Sequence, residues 1–316
     1  MRLVAVTGAT GFVGRHLVAS LARSGFKVRL LMRRDPVVPE WLGIEPQIVA
    51  GDLSDAAALE ALVDGVDQVV HVAGLIKAAR REAFFDVNVT GAVALAQAML
   101  RRAPAARLLH VSTIAAREPQ LSDYAASKRG GEDAVRRALG ARATVLRPPA
   151  VYGPGDPESL VFFKLARGAR VPLAGPPTAR AALIHVADLV SLLVAMLDSQ
   201  DGGVWTAADA HPEGYTWRAV FTAAANAVGN PDAKLFQAPA ALLRTVALAG
   251  DVGRLLGSAN MLNSLKLREL MHLDWSVPAE QWARPAGWSP RFDLPAGFAD
   301  AVAWYRSAGW LPAATR

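Results

Sequence analysis

Two side chains one helical turn apart carry the clearest chemistry in this sequence. Tyr124 and Lys128 lie in the segment Tyr-Ala-Ala-Ser-Lys, so on a helix the phenol and the ammonium share one face. A free phenol has a pKa of about 10, too high for ready proton exchange at neutral pH, and a neighbouring cation is expected to lower it. Thr113 follows an apolar, strand-like segment and can hold a substrate oxygen near the phenol. Together these residues predict general acid–base catalysis.

A glycine-rich segment near the N-terminus predicts a second site. It lies between an apolar strand pattern at Leu3–Val6 and a helical pattern from Gly11 to Arg23. In that setting glycines let the backbone approach a pyrophosphate, whose charge then lies at the helix N-terminus. An ordinary tight turn is the alternative. The residues expected to contact a dinucleotide here are Gly8, Thr10, Gly11, Phe12, Val13 and Gly14.

The next strand pattern, Lys27 to Met32, ends in two arginines. Roughly twenty residues after the last glycine, an acidic side chain would hold the ribose 2′-hydroxyl of NAD. Arg33 and Arg34 occupy that place, and planar guanidinium groups suit the 2′-phosphate of NADP. Asp35 lies just past the strand end. The sequence therefore favours NADP, with NAD as the alternative cofactor and solvated loop arginines as the alternative role.

The elements that must position these residues alternate along the first half of the chain. The alternation predicts an α/β fold: a Rossmann-type doubly wound parallel sheet, followed by a smaller, mostly helical substrate region. We place the dinucleotide-binding domain at 1–150 and the substrate region at 151–316, with 183–200 returning to the first domain. Ligands of such sheets bind at the carboxyl ends of the strands. The predicted strands are 3–6, 28–31, 47–49, 68–72, 108–111 and 144–146.

Composition excludes several classes of protein and site. The 316 residues include no cysteine, which rules out disulfides and thiolate sites, and the histidines lack metal-ligand spacing, so no metal is expected. The net charge of +6, from 34 basic and 28 acidic residues, is scattered, so no nucleic-acid partner is expected. The strand pattern begins almost at the N-terminus and no apolar run reaches membrane-span length. We therefore expect a cytoplasmic protein without an integral membrane segment.

Two apolar regions of the second half have more than one interpretation. The stretch Ala238–Leu256 carries three charged residues and is interpreted as a packed helix, with a helix on a membrane surface as the alternative. Phe162, Phe163 and Trp205 suggest an apolar substrate pocket, and they equally suit a protein core.

As a set, the motifs resemble those of the extended short-chain dehydrogenases/reductases, in the group labelled NAD-dependent epimerase/dehydratase. The resemblance covers about residues 1–190 and rests on the segments 7–14, 51–53, 71–74, 124–128 and 147–154. It implies that Thr113, Tyr124 and Lys128 are catalytic and that Tyr124 and Lys128 also contact the cofactor. The other cofactor-binding residues that it implies are Asp52 and Leu53 at the adenine, Ala73 and Gly74 in the cleft, Lys77 near the phosphates or ribose, Asn88 behind the cofactor, and Pro148, Pro149 and Val151 facing the nicotinamide. For Lys77 and Asn88, a helix-surface or capping role is the alternative.

The resemblance leaves three functions open. The first is an NADP-dependent oxidoreductase that interconverts a ketone and a secondary alcohol on a small molecule, with Tyr124 as the general acid–base. The second is a nucleotide-sugar epimerase with bound NAD, and the third is a non-catalytic dinucleotide sensor or assembly factor. Sugar-nucleotide 4,6-dehydratases carry Asp-Glu after the catalytic hydroxyl, whereas Thr113 is followed by Ile114-Ala115-Ala116, which disfavours that reaction. Related enzymes also suggest a homodimer through helices at 82–101 and 124–138.

Overall fold

The computed structural model describes residues 2–34, 38–173, 175–199, 202–255 and 264–313, so Asp35 and Leu256 lie outside the described residues. The strands are β1 (Leu3–Thr7), β2 (Lys27–Met32), β3 (Gln47–Ala50), β4 (Gln68–His71), β5 (Arg107–Val111), β6 (Ala143–Arg147), β7 (Ala150–Tyr152), β8 (Arg170–Leu173), β9 (Arg180–Ala181), β10 (Leu183–His185), β11 (Gly203–Thr206), β12 (Tyr215–Thr216), β13 (Lys234–Gln237) and β14 (Asp274–Trp275). The helices are α1 (Phe12–Arg23), α2 (Ala56–Val63), α3 (Arg81–Phe85), α4 (Gly91–Arg102), α5 (Asp123–Leu139), α6 (Leu160–Ala166), α7 (Val186–Met196), α8 (Trp217–Val228), α9 (Ala240–Leu255), α10 (Ser264–Met271) and α11 (Leu294–Ser307).

A parallel sheet organises the first half of the chain, as predicted. Its strand order is β11-β6-β5-β4-β1-β2-β3, and every neighbouring pair is parallel. The order reverses beside β1, which is the place where ligands of open α/β sheets bind. The edge strand β11 comes from the second half of the chain and was not predicted. It pairs with β6, where Trp205 packs against the core of the sheet.

Helices cover both faces of this sheet, which explains why its strands are apolar throughout. On one face, α1 and α7 pack together, and Leu17, Leu189 and Leu193 are fully buried there. On the other face, α2, α4 and α5 bury a second core that includes Leu59 and Leu95. α7 belongs to the second half of the chain, yet its Leu189 and Leu193 pack in the core on the α1 face of the sheet, whereas Leu183, just before α7, packs in a different core with α8 and α11.

One long helical stretch, Arg81–Arg102, runs through α3 and α4 with a π-helical turn at Asp86–Thr90 between them. Its 22 residues are apolar enough for a membrane span by length and composition, and 44% of its most apolar window is buried. In the fold, α4 packs on α2 and α5, so we assign the stretch as a helix of the sheet layer. The π turn contains Asn88, and such turns often serve to position a side chain at a site.

A second lobe lies beyond the carboxyl end of the sheet and is built mainly by α6, α8 and α11. Its core includes Tyr152, Phe163, Phe298 and Tyr305, all nearly inaccessible to solvent. Tyr305 donates a hydrogen bond to the carbonyl of Asp156, 2.6 Å away, which fixes the segment that follows β7. This segment lies over α1, since His16 Nε2 is 3.0 Å from the Pro154 carbonyl oxygen.

Candidate active site

The glycine loop between β1 and α1 is shaped to hold a negatively charged group. Gly8 has a φ of +75°, and a Cβ there would lie 2.5 Å from the Ala73 nitrogen, so the turn requires glycine. A Cβ on Gly14 would lie 2.0 Å from the Gly8 carbonyl oxygen. The N-cap of α1, Gly11, has no side chain to bond the first helical N–H groups, while Thr10 and Gly11 are exposed. These residues fit the pyrophosphate of a dinucleotide, which would accept from those N–H groups.

This packing predicts that Gly14→Ala loses dinucleotide binding. The added methyl group forces α1 away from the Gly8 turn, so we expect at least about a tenfold weaker Kd for NADPH, or roughly 1.4 kcal/mol. Gly43→Ala is a matched control, because Gly43 also has a positive φ, +77°, but a Cβ on it would meet no atom within 4 Å. The strain of that substitution is therefore confined to the backbone at position 43. Fluorescence titration with NADPH measures both variants. Equal affinities would refute the assigned role of the loop.

Thr113, Tyr124 and Lys128 come together at the carboxyl end of β5. Thr113 follows that strand; its hydroxyl accepts from the Ala115 nitrogen at 3.3 Å and lies near the phenol of Tyr124, on whose pKa it has a lowering effect. Tyr124 is in the first turn of α5, which is capped by Ser122; the Ser122 hydroxyl accepts from the Ala125 nitrogen at 3.0 Å. Lys128 lies one turn further along and donates to the Val111 carbonyl at 2.8 Å. In this arrangement the hydroxyl groups of Thr113 and Tyr124 can both donate hydrogen bonds to one substrate oxygen.

The pKa of the Tyr124 phenol differs in direction from the sequence-based expectation. Burial raises this pKa to about 12, the hydrogen bond with Thr113 opposes the rise, and the charge of Glu269 adds to it. Lys128 is engaged by the Val111 carbonyl, and its own pKa is lowered to about 8 by burial, against the raising effect of Glu132. At neutral pH the phenol is therefore protonated, which is the form that donates a proton.

Asn88 connects the loop after β4 to the helix that carries Lys128. Its buried amide donates to the Leu75 carbonyl at 3.0 Å and to the Ser127 hydroxyl at 2.9 Å, and its oxygen accepts from the Leu75 nitrogen at 2.7 Å. A Cβ on Gly74 would lie 3.2 Å from the Asn88 oxygen and 3.4 Å from Lys128 Nζ. Gly74, Asn88 and Lys128 thus form one corner of the cleft, and Asn88 supports the backbone as the resemblance implies.

Two histidines lie behind Lys128 at the ends of β4 and β5. His71 and His110 are buried with ring centroids 5.1 Å apart, and His71 Nδ1 is 2.6 Å from the Thr7 hydroxyl. Burial and the Lys128 charge lower the pKa of His71 to about 3 and that of His110 well below its usual value. Both rings are therefore neutral at pH 7 and act as packing groups. They add no positive charge next to the Lys128 ammonium.

Sequence reasoning did not single out Glu132, which organises the base of the site. Its carboxylate is almost fully buried and pairs with Arg147 through Nε at 2.9 Å and Nη2 at 2.6 Å. The same carboxylate accepts from the Ser112 hydroxyl at 2.5 Å. The spacing from Tyr124 to Lys128 to Glu132 is four residues at each step, which was a usable signal.

Glu269 is a second residue that sequence reasoning missed. It is buried on α10, accepts a hydrogen bond from the Ser122 hydroxyl that caps α5, and accepts from Lys266 Nζ at 2.7 Å. Because 147 residues separate Glu269 from Ser122, only the fold brings the carboxylate next to Tyr124.

The expected ribose and adenine residues lie at the ends of β2 and β3. Arg33 is exposed at the end of β2, close enough to Asp52 to help lower the pKa of that carboxyl, although hydrogen bonds from Ser54 contribute more. Leu53 is half-buried, and a Cβ on Gly91 would lie 2.8 Å from its Cδ1. Lys77 is paired with Glu158 at 2.5 Å, so the structure places it in a bridge to the segment after β7.

The opposite wall of the site is apolar. Pro148 and Pro149 are buried, Val151 is half-buried, and the Pro148 carbonyl accepts from the Ile114 nitrogen at 2.8 Å. The residues packed with Tyr124 in one cluster are Ile114, Ala115, Leu121, Ala125, Ala181, Ala182, Ala208, Trp217, Trp275, Val277 and Trp282. None of these carries a charge, and Ile114 to Ala116 stand where the 4,6-dehydratases have acids.

The three aromatic residues considered for a substrate pocket belong to protein cores instead. Phe163 is fully buried in the second lobe, Phe162 packs against Phe221 and Trp217, and Trp205 packs against the sheet. The apolar wall around Tyr124 is formed instead by residues such as Ile114, Ala125 and Trp275, which come from several distant segments.

Comparison with known proteins gives one family and several related enzymes. The family model described as "NAD dependent epimerase/dehydratase family" matches residues 4–208. A ceramide reductase of Caulobacter vibrioides is 44% identical over 310 residues, 98% of this chain and 96% of the relative. A dTDP-6-deoxy-L-talose 4-dehydrogenase (NAD(P)(+)) of Kitasatospora kifunensis is 32% identical over 65% of this chain and 70% of the relative.

Solved structures share the fold. A dTDP-glucose 4,6-dehydratase of Streptomyces venezuelae, solved with NAD and TYD bound, aligns with a TM-score of 0.74 at 24% identity, covering 99% of each chain. The family model spans the glycine loop, the Thr113–Tyr124–Lys128 cluster and the apolar wall at 148–151. The chain therefore belongs to the NAD-dependent epimerase/dehydratase family and is an NAD(P)-dependent enzyme of the extended short-chain dehydrogenase/reductase type.

Proposed function

We propose that this enzyme is an NADP-dependent ketoreductase that reduces a ketone on a lipid-like molecule to a secondary alcohol. The observation that carries the proposal is the Thr113 hydroxyl beside the Tyr124 phenol, set against a cluster of apolar side chains that includes Ile114 and Trp275. A ketone oxygen at this pair would accept from both hydroxyls, while the apolar wall would contact the carbon chains beside it. The 44% identical relative is named for a ceramide, which is a lipid, and this supports the substrate class.

Each of the three side chains has one task in this proposal. A bound nicotinamide would supply the hydride to the carbonyl carbon, and Tyr124 would donate its proton to the carbonyl oxygen. Thr113 donates a hydrogen bond that holds the oxygen beside the phenol. Lys128, one helical turn after Tyr124, would hold the cofactor ribose, and its positive charge would favour the phenolate that forms when the proton leaves. The phenol of Tyr124 is protonated at neutral pH, so it can act as the proton donor that reduction requires.

The reaction is tested by following NADPH oxidation with alkyl ketones and with nucleotide sugars. We expect turnover with a ketone that carries an alkyl chain, and none with nucleotide sugars. An epimerase would instead retain NAD through purification and interconvert nucleotide sugars without net oxidation of added NADPH. That result would overturn the proposal, and NADPH binding without turnover of any ketone would favour the sensor alternative.

Cofactor choice is tested by Arg33→Glu. The exposed guanidinium at the end of β2 would pair with a 2′-phosphate, and its replacement by a carboxylate would repel that group. We expect the KM for NADPH to rise roughly tenfold or more, equivalent to about 1.4 kcal/mol, with the KM for NADH unchanged or lower. Arg23→Glu is the matched control, since Arg23 is exposed at the far end of α1. Equal effects on both cofactors would contradict the NADP assignment.

A further inference from the structure

The helix α9 exposes an apolar face to solvent. Positions 241, 242, 244, 245, 246, 248 and 249 are all exposed, while Ala247 and Gly250 turn inward. At 100° per residue, the exposed positions form one continuous side of the helix. Five of the seven are apolar, and Leu242, Val246 and Leu248 have 54%, 45% and 61% of their surface exposed. Large apolar side chains so concentrated usually mark an interaction surface.

The two polar residues on this face suit contact with a bilayer. The Thr245 hydroxyl donates to the Ala241 carbonyl at 3.0 Å, so it needs no partner from outside the helix. Arg244 lies at the edge of the face, where a long side chain can bury its stem and keep its charge at the headgroups. Over residues 240–271 the chain has four Arg or Lys and two Asp or Glu, a net charge of +2 (4 − 2).

The same helix is connected to the catalytic tyrosine. α9 packs on α10, and the Asp251 carboxylate accepts from the Ser264 nitrogen at 3.1 Å at the start of α10. From α10, Glu269 accepts the hydrogen bond of Ser122, two residues before Tyr124. At the end of α10 two further apolar side chains are exposed, Met271 and Leu273, at 37% and 57%. A surface on α9 is therefore joined to the active site through one helix.

We propose that the exposed face of α9, the α9 face hereafter, docks on an anionic phospholipid bilayer and delivers a membrane-resident ketone to Tyr124. The proposal rests on the proposed function, because a lipid substrate is the reason for an enzyme to sit on a bilayer. The apolar residues enter the interface and the positive charges of Arg244 and Arg268, both exposed, face the anionic headgroups. Of the two interpretations of residues 238–256, this selects the membrane-surface helix.

The experiment compares the full chain with the double variant Leu242→Glu/Val246→Glu. The probes are vesicles of phosphatidylcholine with phosphatidylglycerol and vesicles of phosphatidylcholine alone. We expect the wild type to float with the anionic vesicles and the double variant to bind them roughly tenfold or more weakly, since buried apolar area drives interfacial binding. The control Leu42→Glu/Ile48→Glu alters two apolar residues near the β3 edge of the sheet that are 94% and 43% exposed, and should bind as the wild type does.

Activity separates this inference from the proposed function. With a short-chain, water-soluble ketone, both double variants should match the wild type, whereas with a long-chain ketone presented in anionic vesicles only Leu242→Glu/Val246→Glu should lose about tenfold or more in rate. Unchanged vesicle binding by that variant would overturn the proposal. So would a wild-type dimer in solution that the variant converts to monomer, because a second copy would then cover the α9 face. Failure of the wild type on the short-chain ketone would defeat the proposed function alone.

Discussion

Tyr124→Phe is expected to lower kcat for ketone reduction by roughly 10²–10⁴-fold while leaving NADPH affinity nearly unchanged. The phenol is the group of the Thr113–Tyr124–Lys128 cluster that is neutral at pH 7 and acidic enough to release a proton during the reaction. With phenylalanine, the ring still packs with Ile114 and Ala125, so the fold of the wall persists. Thr113 would keep one hydrogen bond to the substrate oxygen but could not complete proton transfer.

Tyr152→Phe is the matched control for that experiment. Tyr152 is a buried tyrosine, 1% exposed, whereas Tyr124 is half-buried, and the Tyr152 hydroxyl has no hydrogen-bond partner among the described residues. Its replacement should preserve kcat, so a large loss in Tyr124→Phe alone identifies the phenol and not the loss of a hydroxyl in general. Full activity in Tyr124→Phe would refute the catalytic assignment. NADPH titration of each variant separates loss of chemistry from loss of binding.

The sheet was predictable because its information is local. Each strand from β1 to β6 is a short apolar run followed by a helical pattern, and the observed limits differ from the predicted ones by at most one residue at either end. The glycine loop and the spacing of Tyr124 and Lys128 are equally local. β11 was not predicted because its four residues, one of them aromatic, are too few to show a recognisable strand pattern. They form a strand because they pair with β6.

The electrostatics of the site were not predictable from the sequence. Helical spacing places Lys128 beside Tyr124, but the spacing contains no information on burial, which dominates the pKa of both groups. The spacing also does not show that the Lys128 ammonium donates to the Val111 carbonyl, or that Glu269 of α10 lies close to Tyr124. Such effects depend on which distant segments close over the helix, so they require the three-dimensional structure.

The buried Glu132 carboxylate gives the second large expected effect, on both stability and the pH profile. Glu132→Gln keeps the size of the side chain and an oxygen that can accept from Ser112, but it leaves the guanidinium of Arg147 without a counter-charge at 7% exposure. Removing one partner of a buried ion pair is strongly unfavourable, so we expect the free energy of unfolding to fall by about 3 kcal/mol in urea titration. The surface variant Glu60→Gln is the control, because Glu60 pairs with two exposed arginines, Arg101 and Arg102, and its loss should leave the urea midpoint nearly unchanged.

The pH profile distinguishes a positioning role for Glu132 from a purely structural one. The Glu132 charge raises the pKa of Lys128, which burial lowers to about 8, so the wild-type rate of ketone reduction should fall as the pH rises through about 8 and the ammonium loses its proton. Without the carboxylate only burial acts, and the same fall should occur at lower pH. Measurement of kcat/KM from about pH 6 to about pH 9 spans this range on both sides of the Lys128 pKa, and it is made without urea at a temperature where Glu132→Gln remains folded. If the variant is less stable but keeps the wild-type pH midpoint, Glu132 stabilises the buried charge of Arg147 and does not set the pKa of Lys128.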